Sequence, residues 1–284
     1  LAWVRGLDVL LLHRKRPSAP RLWQLRRAAR CLVYDVDDAV MYRDTLSPGR
    51  QGSWSRRRRF AATVKAADRV IVGNRYLEAH AREYAGRVSV LPTAIDLSRY
   101  TARSWEGPSD PVVMGWIGDT GSVAYLESQR PLFEALGKAC PGLLFRVLSS
   151  RFPRYEHLRV DPVTWTAGTE AEVLRSFDLG VMPLPDDPWS KGKCALKLLQ
   201  YMASGVPAVA SPVGMNADVI RHGENGLAPA TVDGWIEAVR ALAADPALRA
   251  RMGAAGRRTV EEGYALSVTA PRLASILRDA AGRG

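Results

Sequence analysis

Residues 177–214 read FDLGVMPLPDDPWSKGKCALKLLQYMASGVPAVASPVG. Leu179-Gly-Val-Met182 is a short run without polar side chains that stops at Pro183, as a strand buried on both faces does. A polar loop follows with Asp186, Asp187, Ser190, Lys191 and Gly192. Apolar spacing then resumes and predicts a helix over 193–204, with Gly205 suited to its C-terminal cap. Ala208-Val-Ala210 predicts a second buried strand, and Gly214 ends the next loop, where a backbone can come close to a ligand. Strand, loop, helix and strand in this order form a βαβ unit, so a parallel sheet is expected.

The same alternation extends in both directions. Apolar runs at Asp8–His13, Cys31–Tyr34, Arg69–Val72, Val88–Leu91, Val112–Ile117, Leu144–Leu148 and Val163–Trp165 precede the stretch, and Gly226–Ala228 follows it. Periodicity predicts helices over 20–30, 54–67, 75–85, 122–139, 170–176, 215–221, 231–244, 246–261 and 267–281. The expected class is α/β with mostly parallel sheets. Turn formers between Ser104 and Pro111 mark a domain boundary, placed at 106/107.

The 284 residues suffice for two domains, and 47% hydrophobic with 24% charged residues excludes a disordered chain. The net charge of +11 is unevenly spread: residues 1–105 carry 21 basic and 9 acidic side chains, residues 106–284 carry 19 and 20. A basic surface attracts nucleic acid, anionic lipid or phosphorylated small molecules, and charge alone does not choose among them. Cys31, Cys140 and Cys194 lie far apart without a C-x-x-C spacing. Neither a disulfide framework nor a thiolate zinc site is indicated, which fits a reducing, cytoplasmic compartment. No apolar run approaches the roughly 18 to 20 residues of a membrane span, and no cleavable signal peptide is visible. The chain opens Leu1-Ala-Trp-Val4 rather than with Met, with the first strand already in progress, so the first domain is expected to be incomplete.

In parallel sheets ligands bind outside the carboxyl ends of the strands, where a loop entering a helix presents free N–H groups and a positive dipole end. Ser190 to Lys193 is therefore an anion site by position. Lys193 and Lys197, four apart on the predicted helix, would both reach a phosphate there. A solvated lysine face is the alternative, although an unused lysine at a helix N-terminus costs about 0.3 to 1 kcal/mol against the dipole. Cys194 reads as a small buried residue, since no neighbouring His activates it.

Together these residues resemble the carboxy-terminal domain of the family 4 (group 1) glycosyltransferases, whose GT-B fold has two facing Rossmann-like domains. The matching pieces are Phe177–Leu184, Lys193–Pro207, Ser211-Pro-Val-Gly214 and His222-Gly-Glu-Asn-Gly-Leu227. Ala67–Asn74 followed by Val90–Asp96 looks like the end of that family's first domain, and Gly115-Trp-Ile-Gly118 like the first strand and turn of its second. The resemblance covers roughly residues 8 to 280.

It implies transfer of a sugar from a UDP- or GDP-sugar, with retention of configuration and no metal or other cofactor, to a cell-envelope or polysaccharide acceptor. Residues 1–106 would be a remnant of the acceptor-binding domain, 107–266 the nucleotide-sugar domain, and 267–284 a terminal helix returning towards the first. A fragment lacking its front would bind nucleotide and yet fail to turn over. Members often carry two glutamates with seven residues between them; the matching positions here are Gly192 and Gln200. Gln200 could still serve the donor ribose, and Lys193 and Lys197 are the catalytic candidates, stabilising charge on the diphosphate leaving group. Gly118, Gly121, Ser190, Gly192, Gln200, Gly214, Met215 and Asn216 form the expected donor set, and Asp37 and Asp38, at a strand end, the acceptor side.

Arg56-Arg-Arg-Arg59 lies in a predicted helix beside Trp54 and Phe60. It reads as a solvated face or as a contact with the anionic inner face of the cytoplasmic membrane, where each basic residue contributes about 1 kcal/mol. A glycan or lipid-linked acceptor is the expected second partner. No nucleic-acid-binding pattern accompanies the charge, so a basic nucleic-acid binder is the remoter rival and an inactive GT-B-like binding module the nearer one. Gly115-Trp-Ile-Gly-Asp-Thr-Gly121 has the wrong spacing for a nicotinamide dinucleotide site.

Overall fold

The computed structural model describes residues 4, 6–105 and 109–282, so Glu106 and Gly107, the expected boundary, lie outside the described residues. The chain divides into two compact units, one of Leu1–Ala94, Asp186–Cys194 and Ser267–Gly284, the other of Ile95–Pro185 and Ala195–Leu266.

In the first unit β1 (Leu10–His13), β2 (Leu32–Val36), β3 (Arg69–Val72) and β4 (Val88–Val90) form a sheet in that order, all parallel. The crossovers are α1 (Ala19–Ala28), α2 (Trp54–Ala66) and α3 (Arg75–Arg82). Each crossover helix buries one apolar side: Leu22 and Leu25 of α1, Phe60 and Val64 of α2, Leu77 and Ala81 of α3. The final helix, α11 (Leu266–Ala281), sets Leu273, Ile276, Leu277 and Ala280 against Cys31, Val33 and Ile71.

The second unit contains β5 (Val112–Ile117), α4 (Val123–Ser128), α5 (Arg130–Ala139), β6 (Leu143–Ser149), β7 (Arg159–Thr164), α6 (Glu170–Arg175) and β8 (Leu179–Met182). It continues with α7 (Leu196–Ala203), β9 (Ala208–Ala210), α8 (Met215–Val219), α9 (Val232–Ala244) and α10 (Pro246–Gly263). Its five strands are parallel in the order β7-β6-β5-β8-β9, so the chain builds outward from β5 on one side and then on the other. The change of direction falls between β5 and β8, where such sheets open a crevice at their carboxyl ends.

Local chemistry explains where the elements depart from expectation. The helix expected over 122–139 is two, broken at Gln129 (φ −102°, ψ +20°), because Pro131 has no N–H with which to continue the ladder back to α4 and fits only the first turn of a new helix. Gly226–Ala228 forms only a bridge, Val209 to Leu227, rather than a strand. The helix expected from Lys193 starts at Leu196, since Ala195 takes a left-handed φ of +53° and Ser190–Gly192 form a separate 3-10 turn. At its other end Gly205, with φ +66°, closes a Schellman cap in which Val206 N–H donates to the Tyr201 carbonyl.

Two strand glycines have packing roles. A side chain at Gly115 would collide with the Phe177 ring, and one at Gly180 with the Tyr201 ring. Beneath them Asp178, 1% exposed, accepts hydrogen bonds from Arg103 Nη2 (2.7 Å), Ser109 Oγ (2.5 Å) and Val113 N (2.7 Å). Arg249, also 1% exposed, lies 3.7 Å from the same carboxylate.

Candidate functional site

At the carboxyl end of the second sheet, the loops after β5, β6 and β7 and the first turns of α6 and α7 surround a cavity of about 410 Å³. Gly118, Thr120, Trp165, Glu170, Lys197 and Gln200 are among the residues that line it. Gly118 has no side chain because one would strike the Trp116 ring. Over that ring sits the Lys197 ammonium, 5.4 Å from its centroid. Trp165 and Leu196 remain about half exposed and give the cavity apolar walls.

Glu170, 7% exposed, organises the floor. Its Oε1 accepts from the Tyr100 hydroxyl (2.8 Å) and Gln200 Nε2 (3.0 Å), and its Oε2 from Trp165 Nε1 (2.8 Å). Gln200 Nε2 also donates to the Tyr100 hydroxyl at 3.1 Å. Burial, reinforced by the Glu170 carboxylate, pushes the Tyr100 phenol up to about 12, so it stays a proton donor. Three donors on its two oxygens hold this carboxylate in a fixed orientation.

The second unit therefore brings Gly118, Lys197 and Gln200 to one cavity, which Gly121 does not line. Gly214, with φ +54°, precedes the five-residue α8. Met215 and Asn216 are buried, and Asn216 Nδ2 donates to the Ser211 carbonyl at 3.3 Å; none of these three lines the cavity.

Ser190, Gly192 and Lys193 belong to the first unit, as do Asp37 and Asp38. Because the helix starts only at Leu196, Ser190–Lys193 is not its N-terminus, and Lys193 and Lys197 do not share a helical face. The loop is fixed instead by Asn74, the N-cap of α3, whose Nδ2 donates to the carbonyls of Lys191 and Lys193, both at 3.1 Å. Ser190 is buried, with its N–H on Asp187 Oδ1 at 2.8 Å, and a side chain at Gly192 would collide with Ala39.

At the carboxyl ends of β1 and β2 His13 Nδ1 lies 2.9 Å from Asp35 Oδ2, and His13 Nε2 lies 3.7 Å from Asp37 Oδ1. Arg14, with φ +55°, pairs with both Asp37 and Asp38. Burial raises the pKa of Asp38, opposed by Arg14 and Lys193, and burial likewise raises that of Asp35, opposed by His13. Cys194 donates its thiol to the Asp37 carbonyl at 3.1 Å, and burial with the neighbouring acids pushes its pKa up, so it stays a neutral thiol.

Sequence reasoning did not find His13, Arg14, Tyr100, Trp165 or Glu170. His13 stands opposite Asp35 only through the β1–β2 register, and Glu170 meets Gln200 and Tyr100 from 30 and 70 residues away. Among the described residues, no group of three or more His, Cys, Asp or Glu side chains is placed to hold a metal ion, and no helix is long and apolar enough to cross a membrane.

Residues 149–245 match the family model described as "Glycosyl transferases group 1". Among solved structures, sucrose-phosphate synthase from Thermosynechococcus elongatus is similar at a TM-score of 0.77 and 20% identity, over 98% of this chain and 75% of that one. Staphylococcus aureus TarM, solved with fondaparinux, α-GlcNAc-glycerol and UDP, is similar at 0.72 and 14%, over 97% of this chain, which spans 56% of TarM. Anabaena HepE, solved with UDP-glucose, is similar at 0.69 and 16%, over 98% and 80%. No curated protein sequence matches the chain.

Proposed function

The chain carries a group 1 glycosyltransferase segment at residues 149–245 on a GT-B fold, and from that premise we propose that it transfers a sugar from a UDP- or GDP-sugar to a glycan or lipid-linked acceptor. The observation that carries this reading is the cavity at the switch point of the second sheet, where Lys197 and two carboxylates, Asp119 and Glu170, line a half-apolar chamber. The roles divide by chemistry. Lys197 meets the diphosphate and stabilises the negative charge that grows on it as the glycosidic bond breaks. Gln200 commits its amide nitrogen to Glu170 and Tyr100, which leaves its carbonyl oxygen as the acceptor for a donor hydroxyl. Trp165 supplies an apolar wall beside the nucleoside.

HepE and TarM were solved with UDP or UDP-glucose, which supports a uridine donor as the first to test. At one hundred times its Kd a ligand stabilises the native state by about 2.7 kcal/mol. One nucleotide sugar of a UDP and GDP panel is expected to raise the thermal midpoint, and Glu170→Gln, which removes the charge that orients Gln200, to reduce that rise. No stabilisation across the panel would refute donor binding. Donor binding without transfer would favour an inactive relative, a reading motivated by Gly192, where the family has a glutamate and this chain packs against Ala39.

The acceptor side is proposed at Asp37 and Asp38, in a cell-envelope or polysaccharide pathway, with retention of configuration; the anomer released reports the last directly. The basic first third would meet an anionic membrane face. Trp54, 74% exposed beneath Arg58 on α2, and Trp23 beneath Arg27 on α1 support such contact. The chain is expected to sediment with vesicles containing anionic lipid and to release them at high salt, where exposed charges are screened within about 3 Å at 1 M. Sedimentation indifferent to lipid charge would remove the membrane from the proposal.

A further inference from the structure

A second cavity, of about 280 Å³, lies in the first unit between the start of α1 and α2. Ser18, Ala19, Trp54, Ser55, Arg58 and Arg59 contribute to its wall, and no carboxylate does among the described residues. Ser18 holds the N-cap position of α1, yet its hydroxyl makes no capping hydrogen bond, Pro20 has no N–H to give, and no acid occupies the first turn. The positive end of α1 is thus left uncompensated beside two arginines.

A second set of observations points the same way. Arg16, two residues before Ser18, has its Nε buried without a hydrogen-bond partner, and the hydroxyl of the fully buried Tyr34 is equally unpartnered. Arg16 lies in the field of Tyr34, Arg56 and Arg59, and burial together with the two arginines lowers its pKa. Arg56 is already engaged, donating to the Tyr42 carbonyl at 3.0 Å. Guanidiniums gathered without a counter-charge raise the energy of the fold until an anion enters.

We propose that this cavity is a phosphoryl-binding site, in which Arg58 and Arg59 grip the oxygens, the Ser18 hydroxyl and the first N–H groups of α1 complete the cradle, and Arg16 supports it from behind. Guanidinium forks match phosphate oxygens in pairs, and a helix N-terminus adds donors already aimed outward. The wall contributed by Pro17, Trp54 and Ala62 places apolar surface next to the phosphate. Two sources share this chemistry: the phosphate of a lipid headgroup, whose glycerol and first methylenes would meet Trp54, and a free phosphate. The site lies within the first unit, and its test does not depend on the donor cavity.

The test is calorimetric titration of the full chain with inorganic phosphate and with dihexanoyl phosphatidic acid below its micelle concentration. Saturable binding at one site is expected. Arg59→Gln and Arg16→Gln are each expected to weaken it about tenfold or more. Arg27→Gln, which removes the same charge from α1 over the Trp23 ring, should change it less than about twofold. Without ligand, Arg59→Gln should leave the thermal midpoint unchanged or raise it, because it relieves like-charge repulsion. Tighter binding of the phosphatidic acid, abolished by Trp54→Ala, assigns the site to a lipid phosphate; equal affinity assigns it to free phosphate. Absence of saturation with both ligands, or equal losses in Arg27→Gln and Arg59→Gln, would overturn the proposal in favour of diffuse charge.

Discussion

Lys197→Ala is expected to lower kcat/KM for sugar transfer by about 10²- to 10³-fold, the cost of removing one preorganised group from developing charge. Lys197 is the second residue of α7, lines the cavity proposed for the donor and stands over the Trp116 ring. A cation in the first turn of a helix opposes the helix dipole, which offsets what its seat over the Trp116 ring contributes to the fold. Alanine should therefore shift the thermal midpoint little compared with its effect on the rate, which separates loss of chemistry from loss of structure. Donor charge builds up mainly as the bond breaks, so most of the loss should appear in kcat rather than KM. Lys193→Ala, made in parallel, tests the second proposed cation, which sits in the field of Asp38 in the first unit. Wild-type rates in both purified variants would sink the assignment.

The second large effect concerns stability. Asp178→Ala is expected to cost about 3 to 5 kcal/mol, because it leaves Arg249 buried and uncompensated and strips Arg103 of its carboxylate. The Val113 N–H loses its side-chain acceptor as well, at the start of the central strand of the second sheet. Urea denaturation should show a large fall in midpoint, with Glu237→Ala, an exposed acid on α9, as the reference near zero. Similar midpoints for the two variants would show that the buried cluster contributes no stability. Asp178 sits inside the very stretch whose resemblance suggested a transferase, so its role there is to brace the sheet rather than to touch a donor.

The fold was legible because its strands are short apolar runs bounded by breakers. Arg69–Val72, Val112–Ile117, Leu179–Met182 and Ala208–Ala210 are found at their expected bounds, since burial on both faces leaves a continuous signal. The start of α7 was not legible. The apolar spacing runs unbroken through Lys193, Cys194 and Ala195, and only the left-handed backbone at Ala195 separates turn from helix. Glycine misled differently: Gly192 reads as a missing glutamate, whereas its lack of a side chain answers to Ala39, far away in sequence. Glu170 and His13 escaped notice for one reason. Periodicity reports which face is buried, while a hydrogen bond between residues 22 to 70 positions apart depends on register and crossover, which the local pattern does not encode.

The nine residues Asp186–Cys194 belong to the first unit although β8 before them and α7 after them belong to the second, and residues 267–284 rejoin the first unit. The polypeptide thus passes from one body to the other four times, and neither can be obtained as an uninterrupted stretch of gene. Expressing 95–266 alone would carry along a loop whose anchor, Asn74, has been left behind. Removing 1–94 from the intact chain would strand α11 with Leu273, Ile276 and Leu277 turned to water. Dissection of this chain must therefore proceed by grafting a short bridge across 186–194, not by cutting at a linker.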